Sequence, residues 1–205
     1  MNLKTFVKVG SITNLSDARF CAGFGVDLLG FDINPTSKNY ISIDQANEIM
    51  GWVAGPAFVA EVGKMPLADV IKLQEENKFP FVQVDDIATA DELLTKGIQV
   101  ILHILIGSQS DLDLLSNVIS ANGSYSHIIV SCTAPELIPE IENLISNDIK
   151  LPLIKSYDVE LSQLDHIIQL QPFSGIELKG SHEDKPGFKE YDELADILEA
   201  LEQED

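Results

Sequence analysis

"FVKVGSITNLSDARFCAGFGVDLLGFDI", residues 6–33, sets out a strand, a helix and a second strand in one short span. Residues 6–9 are a β-rich apolar run, a helix starts near Ser16 and runs over 17–24, and residues 28–33 are apolar again. Both apolar runs are continuous rather than alternating, the pattern of parallel strands covered on two faces. The same run recurs at 57–62, 81–84, 100–106, 127–130, 151–154 and 175–178, giving eight strand candidates in all. Helix-cap signals separate them at Ser42, Thr89, Ser110 and Thr133, and Glu190 opens a last helix. Residues 159–170 read as a short helix, the weakest of the set. Eight β/α units without a break in composition predict an α/β fold, a single-domain (β/α)8 TIM barrel over residues 1–205. A doubly wound open sheet is the rival, but no G-x-G-x-x-G or Walker pattern occurs to supply its nucleotide loop.

With 205 residues, 45% of them hydrophobic, the chain can bury one substantial core. Lys4 and Lys8 bracket only residues 5–7, so no signal-peptide pattern opens the sequence. The longest apolar stretch, 100–106, contains His103 and is too short to span a bilayer. A cytoplasmic protein with no membrane partner is expected. Cys21 and Cys132 are too few for a disulfide scaffold, which fits a reducing compartment. The formal charge of −20, from 33 acidic and 13 basic residues, repels phosphate backbones and argues against nucleic acid as a partner. Part of that excess is solvated surface, as in the acidic tail 199–205.

Barrel enzymes assemble their sites at the C-terminal ends of the strands. Gly10, Asp32, Glu61, Asp85, His103, Ser131, Lys155, Glu177 and Lys179 fall at or near those ends. Asp32 shares strand parity with Gly30, and Asp85 with Gln83; if these face inward, Asp32, Glu61 and Asp85 line one side of the mouth. Lys8 shares parity with Gly10 and is placed to neutralise one of them. Lys155 and Lys179, beside Gly180 and Ser181, make the opposite flank friendly to anions. "KGSH", residues 179–182, reads as a phosphate-binding turn, which needs little more than Gly and main-chain N–H groups. Two readings stay open: an ion-pair network that plugs the mouth, or a ligand site. Carboxylates suit Mg²⁺ or Mn²⁺, but no ligand spacing is present, so neither a metal nor a cofactor is expected. His103 reads as a neutral, hydrogen-bonded imidazole inside the barrel. Cys132 follows Ser131 and therefore points to the other face of its strand.

Three segments carry a family resemblance. "KVGSITNLSDARFCAGFGVDLLGFDINPTSKNYIS", residues 8–42, looks like an opening KICGIT, its helix, and an LGF…P-x-S-x-R-Y-I-S stretch. "VQVDD", residues 82–86, looks like VQLHG, and "GIELKGSHEDKPGFKE", residues 175–190, like a last strand with its phosphate loop. On these the chain resembles phosphoribosylanthranilate isomerase of tryptophan biosynthesis. The resemblance implies a barrel that rearranges an aminoaldose to an aminoketose on a substrate bearing a carboxylate and a phosphate, as a monomer or homodimer.

The departures fall on the chemistry. The family's catalytic cysteine aligns with Gly10 and its catalytic aspartate with Ser131. Its carboxylate-binding arginine aligns with Asn39, and its histidine after Q-L with Asp85. The tandem glycines after strand seven are replaced by "IKSYD", residues 154–158. Each positioned acid or base contributes on the order of 10²–10⁴-fold, so losing both predicts a pseudoenzyme of the family. It would bind, or act otherwise on, a small phosphorylated ligand through Lys8, Asn39, Glu61, Asp85, Lys155, Lys179, Gly180 and Ser181. The alternatives are a working isomerase with acid and base relocated to Asp32, Asp85 or Cys132, and a scaffold for protein interaction.

Overall fold

The computed structural model describes residues 2–145, 149–169, 173–180, 183–185, 188–189 and 192–203. Eight parallel strands close into a barrel: β1 (Phe6–Gly10), β2 (Leu28–Asp32), β3 (Ala57–Gly63), β4 (Phe81–Val84), β5 (Val100–Ile106), β6 (His127–Cys132), β7 (Leu153–Lys155) and β8 (Phe173–Lys179). The ring shuts where β1 pairs with β8, Lys8 opposite Glu177 and Gly10 opposite Lys179. A short antiparallel pair, β9 (Glu183–Lys185) and β10 (Phe188–Lys189), follows β8. This pair falls in the stretch that reads as a ligand loop.

Around the barrel run α1 (Leu15–Gly23), α2 (Ile43–Met50), α3 (Leu67–Asn77), α4 (Ile87–Thr95), α5 (Gln109–Ala121), α6 (Ile138–Leu144), α7 (Leu164–Gln169) and α8 (Asp192–Leu201). Ser42 caps α2 as expected, accepting from the Gln45 N–H at 3.2 Å. Other helices begin earlier than the first serine or threonine in view. Asn14 caps α1 by accepting from Asp17 N at 3.0 Å, and Asp86 caps α4 by accepting from Thr89 N at 2.8 Å. In both cases an Asn or Asp two or three residues upstream competes successfully with the hydroxyl residue. The N-cap of α5 is Ser108 rather than Ser110, and a 3-10 turn over Pro135–Leu137 leads into α6. Pro139 lies in the first turn of α6, where the missing N–H has no helical partner to lose. Glu190 lies outside the described residues.

Alternate side chains along each strand build two apolar layers. Leu28, Val59, Ile101, Ile129 and Ile154 fill the barrel's interior, with Phe6, Ala57 and Phe81 against them. His127 stacks on Phe6 with ring centroids 4.7 Å apart, and burial depresses its pKa, keeping the imidazole neutral. Their strand neighbours, such as Val7, Val9, Leu29 and Phe31, point outward and pack under the helices. Each such aliphatic burial contributes roughly 1.5–3 kcal/mol. This leaves the upper barrel interior, above the apolar plug, for polar side chains.

The two ends of the described chain meet below the barrel. Leu3 bridges Glu202, Lys4 N donates to Leu201 O at 2.8 Å, and Gln203 N donates to Asn2 O at 3.0 Å. Among the described residues no helix is long and apolar enough to cross a membrane.

Candidate functional site

Above the apolar plug the inward positions turn polar: Lys8, Glu61, Gln83, His103, Ser131 and Glu177 come from β1, β3, β4, β5, β6 and β8. Over them lies a cavity of about 250 Å³ at the C-terminal ends of the strands, walled by Gly10, Asp32, Glu61, Asp85, His103, Glu177 and Lys179 among others. The expected convergence of Asp32, Glu61 and Asp85 is therefore present.

Lys8 is fully buried and bonds Glu61 Oε1 and Glu177 Oε1, each at 2.5 Å. Burial alone would depress its pKa, but the charges of Glu177 and Glu61 and their hydrogen bonds outweigh it, and Lys8 stands above the ordinary lysine value. Burial likewise pushes Glu177 up, yet Lys8 and the Ser156 hydroxyl, which donates to its Oε2 at 2.6 Å, hold it below the usual range. Glu61 Oε2 accepts from Ser11 N at 3.0 Å. Ser11 takes a left-handed backbone, φ 55°, to present that N–H.

Gly10 and Gly30 make room for this network. A Cβ on Gly10 would stand 2.7 Å from Glu61 Oε1, and one on Gly30 only 2.0 Å from it. The space over the tip of β1 is occupied by a carboxylate from β3. Glu177, a strand-end residue outside the expected ligand-binding set, is the second anchor of Lys8. Its inward parity with Lys179 was the available signal.

A different chain of bonds crosses β4, β5 and β6. Asp85, one residue past β4, holds His103 Nδ1 from Oδ1 at 2.9 Å, and His103 Nε2 lies 2.8 Å from Ser131 Oγ. Asp32 serves its own loop, accepting from Asn34 N at 3.2 Å and from the Ser37 hydroxyl. Asn39 N donates to Ser37 Oγ at 3.2 Å, and its side chain is not part of the cavity wall. Gln83 lines the cavity with an Oε1 that has no partner among the described residues.

The cationic flank differs from expectation. Lys155 is 3% exposed and faces away from the cavity, 3.4 Å over the Tyr157 ring and 3.9 Å from Glu142 of α6. Ile154 takes the inward position on β7, so its neighbour must point out to the helices. Burial pulls the pKa of Lys155 down. Lys179 does reach the cavity, and Gly180 follows it with its N–H committed to Gly10 O at 2.9 Å. Ser181 and His182 lie outside the described residues. Cys132 turns away from Ser131, as strand parity requires, and its Sγ donates to Ala134 O at 3.1 Å. Among the described residues no group of three or more His, Cys, Asp or Glu is arranged to hold a metal ion.

No protein-family profile matches the chain. Over 57 residues it is 47% identical to the N-(5'-phosphoribosyl)anthranilate isomerase of Thermotoga petrophila, covering 28% of this chain and 27% of that one. The enzyme of the same name from Nitrosomonas eutropha is 42% identical over 57 residues, 26% of its length. The matched stretch thus spans about a quarter of these curated relatives. Solved structures extend the likeness in shape. A phosphoribosyl anthranilate isomerase in complex with reduced 1-(o-carboxyphenylamino)-1-deoxyribulose 5-phosphate superimposes with a TM-score of 0.75 at 20% identity, over 96% of this chain and 98% of that one. The Pyrococcus furiosus isomerase gives a TM-score of 0.74 at 17% identity, with the same coverage.

Proposed function

We propose that this chain, a (β/α)8 barrel resembling the phosphoribosylanthranilate isomerases in fold and in part of its sequence, does not carry out their aldose–ketose rearrangement and instead holds a small phosphorylated compound at its mouth. The observation that carries the reading is the filled tip of β1. Where the resemblance puts a proton-abstracting cysteine, Glu61 lies over Gly10, neutralised by a buried lysine. Both oxygens of that carboxylate are engaged, Oε1 by Lys8 and Oε2 by the Ser11 N–H.

Ligand binding is supported by the cavity that remains above this network. Lys179 is the one lysine or arginine among the described residues lining the cavity, and it is the group to meet a phosphate. The solved isomerase that holds a deoxyribulose 5-phosphate derivative supports the choice of a sugar-phosphate-sized ligand.

Expression in an isomerase-deficient tryptophan auxotroph tests the first half of the proposal. No growth is expected, and clear rescue at ordinary expression refutes it. Calorimetric titration with ribose 5-phosphate at low ionic strength tests the second half. Weak binding that weakens with salt and disappears in Lys179→Ala is expected, while Asp32→Asn retains it. No heat at any salt concentration removes the phosphate reading.

A further inference from the structure

We infer that Asp85, His103 and Ser131 form a serine nucleophile relay, and that the barrel mouth hydrolyses small acyl esters of a polyhydroxylated alcohol. The inference goes beyond phosphate binding and does not depend on it.

The geometry is that of nucleophile, base and orienting acid in one line. With the Nδ1 proton directed to Asp85 Oδ1 at 2.9 Å, His103 Nε2 carries the free lone pair, and the Ser131 hydroxyl lies 2.8 Å from it. Both bonds are within the reach that base-assisted nucleophiles require. The three residues sit at inward positions on or just beyond adjacent strands, so the barrel, rather than a loop, fixes their spacing.

The surroundings select the substrate. His103 and Asp85 are shared between the 250 Å³ cavity and a second one of about 440 Å³ beside it. The first offers carboxylate acceptors, notably Asp32 and Asp85, which suit an alcohol rich in O–H donors. The second is walled partly by Ile87, Leu105 and Leu114 and suits an acyl chain. An ester bond lying across His103 would place one half in each. Ser131 is 9% exposed and is not itself in the wall of either cavity, so an acyl group reaches it only past His103 and must be small.

The chemistry balances with water as co-reactant. Ser131 Oγ bonds to the ester carbon as its proton passes to His103 Nε2, and the C=O pair moves onto oxygen. Collapse re-forms the C=O bond and breaks the bond to the alcohol oxygen, which leaves with the proton from Nε2. Water then attacks the acyl-serine, again giving its proton to Nε2. The acid departs and Ser131 Oγ takes that proton back.

The test is covalent labelling of the intact chain by a small dialkyl fluorophosphate, located by peptide mass spectrometry, together with turnover of p-nitrophenyl acetate. An adduct on Ser131, formed with loss of fluoride, is expected. Its rate should depend on pH, and Asp85→Asn should slow it and change that pH profile. Ester turnover should drop at least about 10²-fold in Ser131→Ala and in His103→Gln. If Ser131 stays unlabelled in folded wild-type protein, the inference is overturned whatever the variants do; equal turnover by wild type and Ser131→Ala overturns it too.

Discussion

Two halves of the same polar layer do opposite things with their charges. On the β1, β3 and β8 side, Lys8, Glu61 and Glu177 satisfy one another, with side-chain exposures of 0%, 11% and 6%. On the β4, β5 and β6 side, Asp85 and His103 keep 32% and 20% exposure and face open space. In the first group one buried ammonium is shared by two carboxylates, and these bonds stiffen the ring where β1 meets β8. The second opens onto the cavity through Asp85 and His103. Burial and closure of a hydrogen-bond network, rather than the residue types in it, separate a structural polar cluster from a reactive one.

Substitution can break this contrast. Lys8→Ala leaves two buried carboxylates uncompensated and should cost about 3–5 kcal/mol in urea unfolding, enough to threaten folding altogether. A loss no larger than that of a surface lysine would dissolve the distinction between the halves. The same cluster contributes to the pH dependence of stability. The pKa of Glu177 is depressed on folding, so its contribution is present above the ordinary glutamate value of 4.5 and disappears as pH falls through the folded value. The pKa of Lys8 is raised, so its contribution is complete below the ordinary lysine value of 10.5 and is lost as pH rises through the folded one. Thermal melts across pH should show both edges, and Lys8→Ala should erase the alkaline edge that Lys8 supplies.

Gly30→Ala comes next, at about 1–3 kcal/mol, because its Cβ overlaps Glu61 Oε1 and must push that carboxylate off Lys8. Gly10→Ala, with a 2.7 Å approach, should cost less than Gly30→Ala in the same unfolding assay. The smallest change is on the open side. Ser131→Ala removes one neutral hydrogen bond next to a partly hydrated imidazole and should shift stability by about 1 kcal/mol or less. A larger loss there would mean that His103 is a structural member after all.

The strands were legible because continuous apolar runs of four to seven residues have no other good use in an acidic, single-core chain. Phe81–Val84 and Val100–Ile106 lie where the hydrophobic runs place them. Helix starts were less legible, since Asn14 and Asp86 compete with nearby serine and threonine and only the local geometry selects among them. Parity correctly brought Asp32, Glu61 and Asp85 together, and turned Cys132 away. The same parity turns Lys155 outward, because its neighbour Ile154 owns the inward position. The Asp85–His103–Ser131 line joins residues far apart in sequence, and only the stagger of β4, β5 and β6 aligns them. The role of Gly10 was hidden for a similar reason: what fills the space above a glycine comes from another strand.

The paired ends beneath the barrel carry a consequence for chain order. Asn2–Lys4 lie bonded against residues 200–203, so a short peptide could join them without disturbing any strand. The backbone would then be a ring, and it could be reopened at an exposed turn such as Gly107–Ser108 with all eight strand pairings kept. Neighbour relations around the cylinder, rather than which residue is translated first, define this architecture.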